Sequence, residues 1–138
     1  MNDDATQPAR KLGVLIVDDS SVMRALIKRV TLLTGFPASD IHEAANGAEA
    51  LQLLQSHHVD VMFVDINMPV MNGAELLQAM RGQGAWNDII RVVVSTDGSE
   101  ARRTEMSDLG VRFYLEKPIR PEGMRDVLAA LGPAASDR

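Results

Sequence analysis

Three aspartates, a serine and a lysine stand at the ends of short apolar runs in this 138-residue chain. They are Asp18, Asp19, Asp65, Ser95 and Lys117. Crowded carboxylates repel one another unless a cation neutralises them, and an all-oxygen ligand set suits a hard divalent ion such as Mg²⁺. A lysine ammonium and a hydroxyl suit the oxygens of a phosphoryl group. If these side chains meet, they predict phosphoryl transfer to a carboxylate.

Each of these residues has a simpler explanation when taken alone, because a polar residue commonly ends a strand as a solvated cap. Asp65 illustrates this, since the apolar run at residues 61–64 predicts a buried strand that simply stops there. The functional interpretation therefore depends on whether separate strands bring all five residues to one place.

The pattern of the whole chain predicts that they do. Short runs typical of strands occur at residues 12–17, 41–44, 61–64, 89–94 and 111–115. Helical apolar spacing follows each of them, first at Met23, Leu26, Ile27, Val30 and Leu33. Strict alternation of strands and helices predicts an α/β fold in which a parallel sheet carries helices on both faces. In such sheets the carboxyl ends of the strands meet at one edge, where ligands bind.

Length and composition bound the remaining possibilities. The chain predicts one domain at residues 11–132, between a flexible N-terminal tail (1–10) and a C-terminal tail (133–138). Absence of cysteine and of any membrane-spanning apolar run indicates a cytoplasmic protein without disulfides. A net charge of −5 argues against nucleic acid as the main partner. His42, His57 and His58 are expected at the surface or at helix ends, away from the acidic edge.

Four segments carry a resemblance to a known family. They are residues 17–24 (VDDSSVMR), 65–73 (DINMPVMNG), 94–96 (VST) and 117–118 (KP). With these motifs in register over about residues 12–131, the sequence resembles the receiver domains of two-component response regulators, most closely the stand-alone chemotaxis (CheY-like) type. The resemblance implies a flavodoxin-like, doubly wound (βα)5 sandwich with strand order 2-1-3-4-5.

The resemblance also implies roles for individual residues. Asp65 would be the phosphoacceptor, receiving a phosphoryl group from a histidine kinase. Mg²⁺, for which Mn²⁺ could substitute, would be held by Asp18, Asp19, Asp65 and the backbone carbonyl of Asn67. The phosphoryl group would be bound by Ser95, Thr96 and Lys117. Ser95 and Tyr114 would form the switch, Pro118 would follow a cis peptide bond, and Asn67 and Asp97 would tune the rate of dephosphorylation.

The resulting expectation is a single-domain response regulator, a monomer or transient dimer that catalyses only its own phosphorylation and dephosphorylation. It would signal to a protein target, in chemotaxis or another pathway, through the face of the fourth helix, fifth strand and fifth helix. Alternatives are a phosphorelay intermediate or phosphate sink, and a receiver excised from a larger regulator. An aspartyl-phosphate phosphatase is less consistent, because Asn67 stands where such enzymes usually need a general acid.

Overall fold

The computed structural model describes residues 12–136, in which five β-strands alternate with five α-helices. In chain order these are β1 (Leu12–Val17), α1 (Ser21–Leu33), β2 (Ala38–Ala44), α2 (Gly47–Ser56), β3 (Val61–Val64), α3 (Gly73–Met80), β4 (Ile90–Ser95), α4 (Glu100–Asp108), β5 (Phe113–Glu116) and α5 (Pro121–Ser136), with a short 3-10 turn at Gly84–Trp86. All strand pairs are parallel and the order is β2-β1-β3-β4-β5. The predicted α/β fold and strand order are confirmed.

The core consists of two apolar layers, one on each face of the sheet. Alternate residues of the strands enter opposite layers, so that Phe63 packs with α1 and α5 whereas Met62 packs with α2, α3 and α4. Every residue of β3 is buried, as its uninterrupted apolar sequence predicts for a central parallel strand. Because β3 is fixed on both sides, the residue that follows it is held firmly at the sheet edge.

Polar side chains set where four of the helices begin. The N-caps of α1, α2, α3 and α4 are Ser20, Asn46, Asn72 and Ser99, and each side chain accepts a backbone N–H from the first turn. At α3 the cap is reciprocal, because the Glu75 carboxylate accepts the backbone N–H of Asn72. The loops that leave β1, β3 and β4 are thereby joined to helices at defined points.

The edge strand β2 is longer than the sequence predicts, since it begins at Ala38 instead of Ile41. Its pairing with β1 shifts register, with Leu12 opposite Ala38 but Gly13 opposite Asp40, so that Ser39 is the extra residue. An edge strand can contain many polar residues because one of its sides faces water. A search for apolar runs therefore misses the first residues of β2. The acidic edge lies at the other end of β1 and is unaffected by the irregularity.

The first helix buries a narrower stripe than its apolar spacing predicts. Leu26 and Leu33 are 38% and 76% exposed, whereas Ile27 and Val30 are buried as expected. Thr31 is buried, and its hydroxyl donates to the carbonyl of Ile27 at 2.7 Å, which satisfies the polar group inside the core. The apolar spacing therefore predicts a wider buried face for α1 than the structure shows.

The two predicted tails have different outcomes in the structure. Residues 1–10 lie outside the described part of the chain. Helix α5 continues to Ser136, into the segment that the sequence assigns to a C-terminal tail, despite Gly132 and Pro133, which are poor helix formers. No helix among residues 12–136 combines the length and apolar character needed to cross a membrane.

Candidate functional site

Three carboxylates meet where β1 and β3 end. An oxygen from each of Asp18, Asp19 and Asp65 lies within 4.8 Å of an oxygen from the other two. Asp18 and Asp65 are buried, whereas Asp19 is exposed at the mouth of the cluster. The structure therefore brings the three predicted acids together at one edge of the sheet.

Backbone hydrogen bonds hold these acids in position. Asp18 N–H donates to the carbonyl of Ala44, and Asp65 N–H donates to the carbonyl of Val17, so both residues continue the parallel ladder. One oxygen of the Asp65 carboxylate accepts the N–H of Ile66 at 2.8 Å, and Asp18 Oδ1 accepts the N–H of Ser20 at 2.9 Å. In each case the second oxygen, Oδ2, is directed to a cation.

That cation is Lys117, which follows β5. Its Nζ donates to Asp18 Oδ2 at 3.1 Å and lies 3.4 Å from Asp65 Oδ2, with only 14% of the side chain exposed. The backbone N–H of Lys117 donates to the carbonyl of Ser95, and the Lys117–Pro118 peptide bond is cis. Residues from three strands thus form one ionic cluster.

Burial dominates the electrostatics of Asp65. Desolvation raises the pKa of its carboxyl above the usual range, and the neighbouring Asp18 charge adds to this. The Lys117 ammonium and the Ile66 N–H oppose the shift without cancelling it. Burial and the Asp18 charge thus oppose the ionised form of Asp65, whereas the Lys117 cation favours it.

Ser95 is fully buried at the end of β4, and its hydroxyl oxygen accepts the N–H of Asp97 at 3.1 Å. Thr96 and Asn67 are exposed on the loops that follow β4 and β3. Asp97 is half-buried, accepts the Ser99 N–H and lies 3.5 Å from the guanidinium of Arg102. The two residues expected to tune dephosphorylation therefore stand on different loops around Asp65.

Tyr114 is half-buried in the middle of β5, with its hydroxyl donating to the carbonyl of Asp97. Burial raises the pKa of this phenol, so it favours the protonated form that donates the hydrogen bond. The hydrogen bond joins the predicted aromatic switch residue to the loop that begins at Ser95. A displacement of that loop would therefore change the environment of Tyr114.

The donor set fits a hard divalent cation. Oxygen ligands from three carboxylates match the preference of Mg²⁺, and the exposed Asp19 leaves one side of the cluster open for water and for a phosphoryl oxygen. Lys117 stands on the side of Asp65 shared with Asp18, where it offsets part of the negative charge. Asp18, Asp19 and Asp65 would hold the ion.

The three histidines lie away from this cluster. His57 caps the C-terminus of α2 and stacks near His42, with ring centroids 3.9 Å apart. His58 pairs with Asp60, whose other oxygen accepts the N–H of Gly13 at the opposite end of β1 from Asp18. His57 and His58 are exposed as predicted, whereas His42 is half-buried within β2, with its Nε2 enclosed, and not at the surface or at a helix end.

Sequence reasoning missed two residues that shape the site. Arg24 of α1 donates to the carbonyl of Asp18 at 2.6 Å and to Glu43 at 2.9 Å, which ties the β1 loop to β2. Gly73 packs its Cα against the Asp65 carbonyl so closely that any Cβ would collide with it. Both contacts join residues from different parts of the fold, so no local spacing in the sequence indicates them.

Comparisons with known proteins agree with this geometry. The family model described as "Response regulator receiver domain" matches residues 14–129. The chain is 38% identical over 118 residues to a Campylobacter jejuni "Chemotaxis protein CheY homolog", covering 85% of this chain and 89% of that protein. It is 34% identical over 118 residues to Helicobacter pylori "Chemotaxis protein CheY1", covering 85% and 94% respectively.

A solved structure gives the same result. The chemotaxis response regulator CheY4 of Vibrio cholerae superposes with a TM-score of 0.77 at 31% identity, covering 88% of this chain and 98% of that one. The fold, the strand order and the sequence motifs therefore all point to one family.

Proposed function

Because the chain belongs to the response regulator receiver domain family, we propose that Asp65 accepts a phosphoryl group and that this modification switches the protein between two signalling states. One observation carries the proposal. Asp65 is a buried carboxylate whose Oδ2 faces the Lys117 ammonium at 3.4 Å, beside two further aspartates and at the open edge of a parallel sheet.

The proposed reaction is a direct displacement at phosphorus. An oxygen of the ionised Asp65 carboxylate forms a bond to phosphorus while the bond to the leaving group breaks, giving an acyl phosphate. The donor is a phosphohistidine of a histidine kinase, whose imidazole nitrogen leaves. The Lys117 ammonium offsets oxygen charge on the carboxylate and on the arriving phosphoryl group.

Mg²⁺, when bound to Asp18, Asp19, Asp65 and the Asn67 carbonyl, would neutralise phosphoryl oxygens in the transition state. The protein's own contribution is to orient the acceptor. The Ile66 N–H engages one carboxylate oxygen of Asp65, which leaves the other as the reacting atom beside Lys117. Ser95 and Thr96, at the end of β4, would bind the phosphoryl oxygens once the bond has formed.

Phosphorylation would be transmitted through the loop that follows β4. If the Ser95 hydroxyl turns toward the phosphoryl group, it gives up the Asp97 N–H that it accepts in the unmodified protein. Asp97 also accepts the Tyr114 hydroxyl through its carbonyl, so one small rearrangement reaches the outer side of β5. Asn67 and Asp97, on either side of Asp65, would set how readily water reaches the acyl phosphate.

The target would be a protein that contacts α4, β5 and α5. Exposed arginines on these elements, such as Arg103 and Arg125, alternate with exposed acids, such as Glu105 and Glu116. A partner would therefore have to complement charges of both signs. Since the most similar relatives reported above are named chemotaxis proteins, we place this target in a motility pathway.

Labelling with acetyl phosphate and Mg²⁺ tests the proposal. The wild-type protein should incorporate one phosphoryl group, and Asp65→Asn should incorporate none, because an amide cannot form the acyl phosphate. Asp40→Asn, which changes an exposed aspartate of β2, is the matched control and should label like the wild type. Undiminished labelling of Asp65→Asn would exclude Asp65 as the acceptor.

A further inference from the structure

Arg103, in the first turns of α4, makes three contacts that converge on the predicted switch residue. Its guanidinium carbon lies 4.5 Å from the centroid of the Tyr114 ring. Its Nε donates to the carbonyl of Gly98 at 3.1 Å, and its Nη2 donates to Glu116 Oε1 at 3.2 Å. One side chain therefore joins the loop after β4, the α4 helix and the β5 strand.

The same loop carries the acceptor for the tyrosine hydroxyl. Tyr114 donates to the carbonyl of Asp97, and Arg103 donates to the carbonyl of Gly98, the next residue. The phenol hydroxyl and the guanidinium thus bond to successive peptide groups, while the guanidinium also covers the ring. The ring of Tyr114 is held from its edge and from its face.

Glu116 fixes the geometry of this arrangement. Its carboxylate lies against the Cα of Gly98 so closely that a Cβ at that position would overlap it. A side chain at residue 98 would therefore push the Glu116 carboxylate out of the position in which it pairs with Arg103. Glu116 also lies opposite Ser95 where β4 pairs with β5, so the ion pair between Glu116 and Arg103 is close to the proposed phosphoryl site.

We propose that Arg103 is a positioning residue for the switch, which favours the Tyr114 orientation that donates to Asp97. This inference rests on the proposed function for its signalling meaning, but the restraint on Tyr114 itself requires no phosphorylation. A simple role in stability does not account for the contacts, because the Arg103 and Glu116 side chains are 42% and 54% exposed. Ion pairs in such exposed places contribute little to folding.

A single tyrosine makes the test direct, because 3-fluorotyrosine incorporated in place of Tyr114 gives one ¹⁹F signal from the whole chain. Solvent access to the ring is then measured from the relaxation caused by a soluble gadolinium chelate, in unphosphorylated protein. Arg103→Gln should raise the ratio of exposed to covered ring about two- to fivefold, the size that a cation–π contact at an exposed site supports.

Two further variants define what the change means. Arg112→Gln is the matched control, because Arg112 makes a cation–π contact of its own, with its guanidinium carbon 5.3 Å from the centroid of the neighbouring Phe113 ring. It should leave the Tyr114 relaxation unchanged. Arg103→Lys keeps the positive charge but not the fork of N–H donors, so it should fall between the wild type and Arg103→Gln.

The proposal is overturned if Arg103→Gln relaxes like the wild type, or if Arg112→Gln changes Tyr114 as much as Arg103→Gln does. Acetyl phosphate labelling of the same variants keeps this test separate from the proposed function. Arg103→Gln should still label at Asp65, because Arg103 contacts neither the acids nor Lys117. Loss of labelling in the wild type would remove the signalling role, whereas an unchanged ¹⁹F relaxation would remove the positioning role of Arg103.

Discussion

At the sheet edge Asp18, Asp65 and Lys117 are largely buried, and backbone hydrogen bonds hold the two acids. On α4 and β5, by contrast, the paired side chains of Arg103 and Glu116 are exposed. Asp18 is 1% exposed and Lys117 14%, but Arg103 and Glu116 are 42% and 54% exposed. The first group is anchored by residues that belong to the sheet ladder. The second depends on side chains that water can reach from one side.

This difference matches the roles proposed for the two regions. A phosphoryl acceptor needs fixed atoms, because a displacement of about 1 Å is costly for group transfer. A switch needs two arrangements of similar free energy, and exposed contacts worth little individually provide them. The hydrogen bonds between Ser95 and Asp97 and between Asp97 and Tyr114 connect the rigid acidic cluster with the adjustable contacts of α4 and β5.

Gly73→Ala breaks the rigid region most severely. The added methyl group would collide with the Asp65 carbonyl and press on the backbone of Ile66, so α3 and the site have to move apart. We expect a loss of about 3 kcal/mol in the free energy of unfolding, the upper range for overpacking. Urea denaturation measures it, and Gly84→Ala is the control because a Cβ there meets nothing within 4 Å. Equal effects would show that the loop after β3 is not tightly packed.

Lys117→Met and Arg102→Met compare how much stability is lost when a cation is removed from the buried cluster and from α4. Without Lys117, Asp18 and Asp65 lose their shared cation in a poorly hydrated place, and we expect a loss of about 2 kcal/mol without divalent cations. Arg102→Met removes a cation that pairs with Asp97 and Glu105 on α4, and should cost less than about 1 kcal/mol. Urea denaturation in a chelating buffer tests both. Similar losses would contradict the distinction between the regions.

Asp65→Asn should stabilise the fold modestly when no divalent cation is present. Burial raises the pKa of Asp65 in the folded state, so its ionised form costs free energy at neutral pH. That cost is relieved as the pH falls through the folded-state pKa, and it is absent below the unfolded-state value. The variant's advantage should therefore be present at pH 7 and fade toward pH 3, as measured by denaturation at each pH.

Asp40→Asn controls for the loss of one negative charge in that comparison. Added Mg²⁺ should stabilise the wild type more than Asp65→Asn, because a ligand shifts stability according to its affinity for the folded protein. A variant that is less stable than the wild type at pH 7 would show that Lys117 more than offsets the burial of Asp65.

Much of the acidic edge could be predicted because it follows from strand ends. Asp18, Asp65 and Ser95 come directly after apolar runs, and a parallel sheet brings the ends of its strands together. The buried helix residues Leu76, Leu77 and Met80 were likewise predictable from their spacing. In these places local pattern and tertiary structure agree.

The remainder depended on contacts that no spacing encodes. Exposure of Leu33 and burial of Thr31 follow from how α1 lies on the sheet, and Thr31 is tolerated because it bonds to the helix backbone. Arg103 carried no pattern that distinguished it from Arg102 beside it. Its contact with Tyr114 joins residues from α4 and β5, which only the folded chain brings together.

The chemical identity of the phosphorylated residue tests the central claim most directly. Protein labelled with acetyl phosphate and Mg²⁺ is treated with borohydride, which reduces an aspartyl phosphate to homoserine, and peptide mass spectrometry then locates the altered residue. We predict the change at residue 65 and nowhere else. Homoserine at position 18 or 19, or label held on a histidine, would contradict the account.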